Sequence, residues 1–418
     1  MSAQPVWYGL PAWPLAMLGI PLYIYLPAYY HEMGVGLAAI GIVLLVARMS
    51  DVITDPLLGW LRDHLSPNGH YFMIGVGWAL LLVGLGFLLL PAEPTAIGLF
   101  VWSLVVYLAW TLIMIPYQAL SAEVTEDLHH KTSFTSTREA FAILGVVTVL
   151  SLPVLINASP TSRLLFEVLY PLVAVALTLF LALMLWRLER PVVVSLPQPS
   201  VQPSFMSKLM YVWGDPASRR LLPAYFFNSL ANALPATLFI LFVQGYLDLE
   251  PQTGLLLLAF FIAGVLGLPV WVWLAKRIGK YQAWQASIVL ACLSFVWVFT
   301  LEPGQFVAFL IISFVSGLSL GADVALPSSI QADVAQNLSK QQGPMSGVLF
   351  GIWGMLTKLA LALAVGVSLP LIDWAGWNQQ TPESMTMMLW LYAGVPIAIK
   401  LMVLAYLFGT RRPALAKS

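Results

Sequence analysis

Three ionisable residues on one predicted helical face could carry chemistry in this chain. Arg48, Asp51 and Asp55 occur in the run Arg-Met-Ser-Asp-Val-Ile-Thr-Asp-Pro, where spacings of three and four residues place them on one side of a helix. Two carboxylates one turn apart repel each other unless a cation lies between them or one is protonated. The pattern predicts a site for a hard cation or a proton, with Thr54 as a further oxygen ligand. Alternatively, the acids lie near the cytoplasmic end of the helix and pair only with Arg48.

Further ionisable residues lie within long apolar stretches, among them Lys358, Lys400 and Asp323. An ionised side chain at the centre of a bilayer costs at least about 2.5–3.5 kcal/mol, so each one needs a reason. Lys358 could pair with an aspartate of the other half of the chain or donate hydrogen bonds to a polar substrate, and a structural ion pair is the alternative. Asp323 lies between Gly321 and Pro327, where a gating role and a packing role are equally compatible with the sequence.

Aromatic and small residues allow both functional and structural interpretations. Tyr23 and Trp353 could line a cavity, because aromatic faces stack on sugars and other amphipathic solutes, although packing is the alternative for each. Gly317 and Gly321 match the nucleophile-elbow pattern of hydrolases, which requires a strand, a turn and a helix. Here they lie inside an apolar stretch, which favours close helix packing instead. Because P-loop, HExxH and GxGxxG motifs are also missing from the sequence, we expect neither an enzyme nor ATP-driven transport.

The elements that position these residues follow from composition. Of the 418 residues, 60% are hydrophobic and 9% are charged, whereas a soluble domain carries about 25% charged residues. The formal net charge of +0 argues against a nucleic-acid partner, which would require a clustered basic face. The one cysteine, Cys292, can form neither an internal disulfide nor a cysteine-based metal site. The composition therefore predicts an all-α protein embedded in a lipid bilayer.

Apolar segments long enough to cross a membrane occur twelve times. They are 8–30, 36–61, 72–91, 96–121, 138–158, 164–186, 220–246, 253–275, 283–301, 304–327, 345–372 and 386–408. With both termini in the cytoplasm, fifteen of the 19 Lys and Arg residues fall on the inner side, as the positive-inside rule requires. We therefore expect a multi-pass protein of the plasma membrane, in a bacterium the inner membrane, with both termini cytoplasmic.

The twelve predicted spans divide into two sets of six. The hydrophilic, proline-containing stretch 187–219 is predicted to be a cytoplasmic linker between an N-terminal half, 1–186, and a C-terminal half, 220–418. Weak internal matches at offsets near half the chain length indicate that the halves are parallel repeats. One match relates Pro116 to Pro327. This arrangement is similar to that of major facilitator transporters.

Two motifs in the N-terminal half resemble the glycoside–pentoside–hexuronide:cation symporter family. The first runs from Arg48 to Trp60, and the second begins at Pro116 and continues through Lys131-Thr132 to Arg138. The resemblance implies a coupling-cation site at Asp51, Asp55, Thr54 and Thr111. It also implies that Arg138 lies near the substrate cavity and that Lys358 is the family's lysine of helix eleven.

This sequence departs from the family pattern at its sugar-binding positions. Ala16 and Met114 stand where the family has carboxylates that accept hydrogen bonds from sugar hydroxyls, and Gln118 replaces a tryptophan expected near the sugar. The resemblance therefore supports cation coupling more strongly than a sugar substrate. The same wider family includes lysophospholipid symporters, so a less polar or amphipathic substrate is the alternative.

We therefore predict a major facilitator fold of twelve helices in two pseudo-symmetric halves. Its expected function is cation-coupled symport of a small, sugar-like solute by alternating access, driven by Na⁺, Li⁺ or H⁺ without a cofactor. A lysolipid-like substrate and a non-transporting receptor or scaffold are the alternatives, and a monomer suffices for this architecture. The residues expected around the substrate are Tyr23, Met114, Gln118, Arg138, Trp353 and Lys358. Those expected to serve structure or gating are Arg48, Asp63, Glu123, Asp127, Asp323 and Asp333.

Overall fold

The protein forms two compact helical units, Met1–Gln198 and Pro199–Ser418, called here the N-terminal unit and the C-terminal unit. The computed structural model describes residues 4–51, 54–55, 58, 67–123, 128–188, 205–342 and 346–410. The assignment of 187–219 as a cytoplasmic linker stays a prediction, and the helix Phe205–Gly214 lies inside this stretch.

Helices account for nearly all of the described residues. Those of the N-terminal unit are α1 (Gln4–Gly9), α2 (Ala12–Ile20), α3 (Leu26–Glu32), α4 (Leu37–Met49), α5 (Pro67–Leu89), α6 (Ala96–Glu123), α7 (Leu128–Leu155) and α8 (Arg163–Arg187). Those of the C-terminal unit are α9 (Phe205–Gly214), α10 (Pro216–Leu241), α11 (Thr253–Ile278), α12 (Lys280–Val296), α13 (Phe306–Gln342), α14 (Ser346–Trp374), α15 (Pro382–Leu389) and α16 (Val395–Gly409).

Among the described residues, ten helical segments are long and apolar enough to cross a membrane. Two shorter apolar helices, Leu37–Met49 and Ala140–Leu155, lie where the second and fifth spans are predicted. The prediction of a polytopic α-helical membrane protein is confirmed, and these helices are consistent with twelve spans. Two boundaries differ clearly from the prediction: α13 continues to Gln342, well past the end of the predicted span 304–327, and α7 begins at Leu128, ten residues before the predicted span 138–158.

Short π-helical segments interrupt three of the spans: Pro21–Tyr25 between α2 and α3, Phe242–Tyr246 after α10, and Trp390–Gly394 before α16. A π-helical turn inserts one extra residue and so shifts the side chains that follow it around the helix axis. In the C-terminal unit, two of these segments meet, because the rings of Phe242 and Tyr392 stack with centroids 4.0 Å apart.

Tyrosine hydroxyls join helices within the N-terminal unit. Tyr29 and Tyr30 of α3 donate hydrogen bonds to the carbonyls of Leu89 and Leu88 at 3.1 Å and 2.9 Å. The last carbonyls of a helix lack partners inside it, so these bonds complete the end of α5. Buried hydroxyls are thereby paired without water.

Glycine allows the backbones of α11 and α13 to touch in the C-terminal unit. A Cβ on Gly321 would collide with the carbonyl oxygen of Gly264, and one on Gly317 would collide with that of Phe260. From the opposite side, a Cβ on Gly267 would come within 2.5 Å of the Leu318 carbonyl oxygen. The prediction that Gly317 and Gly321 serve close helix packing is confirmed.

Candidate cation and substrate sites

The N-terminal unit brings the predicted acid of span two to the predicted hydroxyl of span four. Thr111 Oγ1, on α6, lies 2.9 Å from Asp55 Oδ1 and 3.1 Å from the carbonyl oxygen of Tyr107 one turn earlier. Thr111 is buried, with 4% of its surface exposed. The hydroxyl has one proton, so it donates either to the Asp55 carboxylate or to the Tyr107 carbonyl of its own helix.

Asp51 and Thr54 precede Asp55 in the chain and carry further side-chain oxygen atoms. Asp51 is buried at 4% exposure, one turn before Asp55. The Thr54 amide donates to the Ser50 carbonyl at 2.8 Å, a spacing of four residues as in an α-helix. Thr54 Oγ1 is buried and makes no hydrogen bond to any residue that the structure describes. Carboxylate and hydroxyl oxygens are the donors that hard cations prefer, so this group of residues fits a small monovalent cation.

Two tyrosine rings hold the guanidinium of Arg48. Its Cζ atom lies 4.7 Å from the centre of the Tyr107 ring and 5.5 Å from that of Tyr23. A guanidinium over an aromatic face is attracted by the ring quadrupole, most strongly where water is excluded. Tyr107 is 7% exposed, and sequence reasoning missed it because an aromatic residue inside an apolar span carries no distinct signal. Its ring contacts Arg48 and its carbonyl contacts Thr111.

The other predicted residues of this unit are only partly placed. Met114 lies on α6 and Arg138 on α7, and both side chains are half-buried. Gln118 and Glu123 belong to α6, but their side chains lie outside the described set. Asp63 and Asp127 also lie outside the described residues.

The C-terminal unit surrounds Asp323 with hydrogen-bond donors from two other helices. Its Oδ1 accepts from Asn228 Nδ2 and from Trp284 Nε1, each at 3.0 Å, and its Oδ2 accepts from Asn232 Nδ2 at 2.8 Å. The asparagines belong to α10 and the tryptophan to α12. Burying a charge is costly unless it is paired and hydrogen-bonded, and these donors meet part of that need.

Lys400 of α16 provides the counter-charge. Its ammonium lies 3.3 Å from Asp323 Oδ2 and 2.9 Å from Asn228 Oδ1. The Lys400 and Asp323 side chains are each only 7% exposed. Sequence reasoning singled out Asp323, placed Lys400 inside the last predicted span without giving it a role, and missed Asn228, Asn232 and Trp284. Neutral polar residues carry no charge signal, and the pairing is formed only in the folded unit.

The predicted aromatic residue Trp353 has a stacking partner. Its ring and that of Tyr225 have centroids 3.4 Å apart with planes 15° from parallel. Tyr225 Oη and Thr357 Oγ1 are 2.7 Å apart, which joins α10 to α14 a second time. Lys358 follows Thr357 directly and is half-buried. The sequence did not indicate Tyr225.

Asp333, expected to serve structure or gating, pairs with Lys280 near one end of the C-terminal unit. Lys280 Nζ lies 2.5 Å from Asp333 Oδ2, and the side chains are 38% and 40% exposed. The pair joins the start of α12 to the polar end of α13. Exposed pairs of this kind contribute about 0–1 kcal/mol, so its value lies in registering the two helices more than in stability.

Apolar spanning helices in two units, with buried carboxylates among them, define a class of polytopic membrane transport proteins. The model of the MFS/sugar transport protein family matches residues 7–411. The chain therefore belongs to this family, and the resemblance to major facilitator transporters is confirmed.

Similar proteins in vertebrates are named as lipid transporters. The chain is 23% identical to sodium-dependent lysophosphatidylcholine symporter 1-A of Danio rerio over 380 residues, which cover 81% of this chain and 71% of that protein. It is 24% identical to the human sodium-dependent lysophosphatidylcholine symporter 1 over 393 residues, which cover 84% and 71%. It is 23% identical to the sphingosine-1-phosphate transporter MFSD2B of Mus musculus over 447 residues, which cover 99% and 90%.

Solved transporter structures have the same fold. A crystal structure of the nucleoside transporter NupG superposes with a TM-score of 0.71 at 17% identity, covering 96% of this chain and 99% of that one. A bacterial homologue of the human lysosomal transporter Spinster, in an inward-facing conformation, gives a TM-score of 0.69 at 10% identity over 97% and 95%. The predicted major facilitator fold is confirmed.

Proposed function

We propose that this protein is a cation-coupled symporter whose substrate is an amphipathic, lysolipid-like solute and whose first candidate coupling ion is Na⁺. The relatives named above as sodium-dependent symporters support both parts of the proposal. Li⁺ and H⁺ remain candidates for the coupling ion, because two carboxylates and two hydroxyls can serve each of them. Both termini are proposed to be cytoplasmic, in the inner membrane if the source is bacterial.

The observation that carries the proposal is the contact between Asp55 and Thr111 next to the buried Asp51. Two carboxylates in an apolar span repel each other, and a bound cation removes this repulsion. Thr54 Oγ1, buried and without a hydrogen bond to any described residue, offers a further ligand. Binding a cation here would stabilise the arrangement in which the second and fourth spans are joined, and so would favour one state of the transport cycle.

The proposed substrate follows from the residues that replace the sugar-binding acids. Ala16 and Met114 present apolar groups at positions where the resembling family has carboxylates. The relatives named above carry lysophosphatidylcholine or sphingosine-1-phosphate according to their names, and none of these names supports the carbohydrate substrate expected from the first resemblance. Arg138 and Lys358 offer charged groups for the polar head of such a solute, and Met114 and Tyr23 offer apolar surface for its tail.

Transport in vesicles tests the function directly. Purified protein in liposomes should accumulate radiolabelled lysophosphatidylcholine when an inward Na⁺ gradient is imposed, and accumulation should fall when K⁺ replaces Na⁺. Asp55→Asn should lose the Na⁺-dependent part, because the uncharged amide cannot balance the ion. Glu302→Gln is the matched control, since Glu302 is exposed in a loop of the other unit.

Each alternative gives a different result. Accumulation driven by a pH gradient and insensitive to Na⁺ would assign the coupling to protons. Uptake that is unchanged in Asp55→Asn would reject the cation site. If no lysolipid, glycoside or other solute of a broad panel accumulates, the result would favour the alternative that the protein is a non-transporting receptor.

A further inference from the structure

The ion pair between Lys400 and Asp323 is built so that it leaves no room for another ligand. Asp323 accepts four hydrogen bonds, two on each oxygen, from Asn228, Trp284, Asn232 and Lys400. Two acceptor positions on each carboxylate oxygen are therefore filled. A cation that entered would displace the tethered ammonium, so this cluster acts as a fixed, electrically neutral unit rather than as a second coupling site.

The segment of α10 that contacts Asp323 and Lys400 lies between two prolines that weaken the helix. Pro223 and Pro235 lie inside α10, and each removes one backbone hydrogen bond from the helix. Asn228 and Asn232 lie between the two prolines, one turn apart on the same face. The position of this segment therefore depends on its side-chain contacts, which include the hydrogen bonds of Asn228 and Asn232 to Asp323 and of Asn228 to Lys400.

Tyr225 belongs to the same segment and precedes Asn228 by three residues, close to one helical turn. Its ring stacks on Trp353 and its hydroxyl bonds to Thr357, next to Lys358. A shift of the segment would move the Tyr225 ring relative to α14. The same short segment of α10 therefore contacts both the buried ion pair and the Trp353 ring.

We infer that Lys400 and Asp323 are positioning residues, which fix the α10 segment so that Tyr225 stacks on Trp353 in the substrate site. The part of this inference that concerns substrate affinity rests on the proposed function. The part that concerns the position of Tyr225 does not. Apolar residues could often stabilise the same core at lower cost, so a buried ion pair on a proline-bracketed segment indicates a requirement for defined geometry.

The first experiment reads the position of Tyr225 without any substrate. Thr357→Cys, in a Cys292→Ser background, places a thiol beneath the Tyr225 hydroxyl, where a maleimide reacts slowly. Lys400→Met should raise the labelling rate at least about tenfold, because it leaves a buried charge uncompensated and releases the segment. Ser368→Cys, fully buried further along α14, is the control and should keep its low rate. The double variant Asp323→Asn/Lys400→Met leaves no charge uncompensated but still lacks the Lys400 tether, so its rate should stay raised, and a return to the parent rate would overturn the inference.

An unchanged rate at Thr357→Cys in the Lys400→Met background would overturn the inference. So would an equal rise at Ser368→Cys, which would mean general loss of the fold. Neither result depends on whether lysolipid is transported.

The second experiment measures lysophosphatidylcholine uptake in a double-mutant cycle. Lys400→Met and Tyr225→Ala should each raise KM about tenfold, and the double variant should be no worse than Tyr225→Ala alone, because Lys400 acts through Tyr225. Multiplied effects, of about a hundredfold, would show independent roles and overturn the inference. If the parent protein fails to take up lysolipid, the proposed function is wrong, while the labelling rates still decide the inference.

Discussion

The Thr111 hydroxyl and the Asp55 carboxylate lie 2.9 Å apart across two helices, although 56 residues separate them in the chain. Thr111→Val keeps the shape of the side chain but removes this donor. We expect the apparent Na⁺ affinity to fall about tenfold, which corresponds to about 1.4 kcal/mol. The measurement is the shift in unfolding temperature of purified protein as a function of Na⁺ concentration, since a ligand of the folded state raises stability by mass action.

Two further variants serve as controls for the Thr111→Val prediction. Thr111→Ser retains the hydroxyl and should keep an affinity near that of the parent. Thr386→Val, at an exposed threonine that bonds only to the carbonyl of Pro382, should leave the Na⁺ response unchanged. Equal responses in Thr111→Val and the parent would remove Thr111 from the cation site.

Tyr107 is expected to support the cation site through its ring. Tyr107→Leu removes the aromatic face beneath Arg48, and the lost attraction is about 0.5–2 kcal/mol. The freed guanidinium then competes with Na⁺ for the nearby carboxylates, so the Na⁺-induced shift should shrink at low Na⁺ and recover at high Na⁺. Tyr107→Phe keeps the aromatic face and should behave as the parent does. If Phe and Leu weaken Na⁺ binding equally, the hydroxyl and not the ring is responsible.

Gly321 is expected to tolerate no side chain. In Gly321→Ala the new Cβ meets the backbone of α11 at Gly264 and at the Leu268 amide, which lies 2.8 Å from it, and backbone atoms cannot rotate away. We expect a loss of about 1–3 kcal/mol in stability. Gly354→Ala is the matched control, since Gly354 is also helical but its Cβ would meet nothing within 4 Å. Thermal unfolding in one detergent should show a lower midpoint for the first variant and an equal or higher one for the second.

The predicted topology can be checked with the same single-cysteine background. Glu93→Cys and Glu302→Cys lie in exposed loops that are predicted to be outside, and Arg219→Cys lies at a predicted inner end. A membrane-impermeant maleimide should label the first two in intact cells and the third only after permeabilisation. The reverse pattern would place both termini outside.

The sequence was most informative at single residues with a clear physical signature, namely charges whose burial in a membrane costs free energy and glycines spaced for close packing. Intramembrane charge marked Asp51, Asp55 and Asp323, and the spacing of Gly317 and Gly321 marked a close helix contact. The contact of Thr111 with Asp55 was implied only by family resemblance, because an uncharged threonine in an apolar span costs little free energy and so carries no signal of a function.

Other features depend on the folded unit and left no such mark. Lys400 lies inside the last predicted span, but nothing in the sequence relates it to its partner Asp323, 77 residues away. The π-helical turns add one residue to a helix without changing its composition. Hydropathy detects only the apolar part of α13, whereas the helix continues through a polar stretch that contains four glutamines and Lys340, which are good helix formers.

The glycine contact between α11 and α13 also limits how a lipid could approach this half of the protein. Backbones in van der Waals contact at Gly264, Gly317 and Gly321 leave no gap through which an acyl chain could slide. At the level of these glycines a lipid could not pass between the two helices. The contact between α11 and α13 therefore excludes an acyl chain at this position.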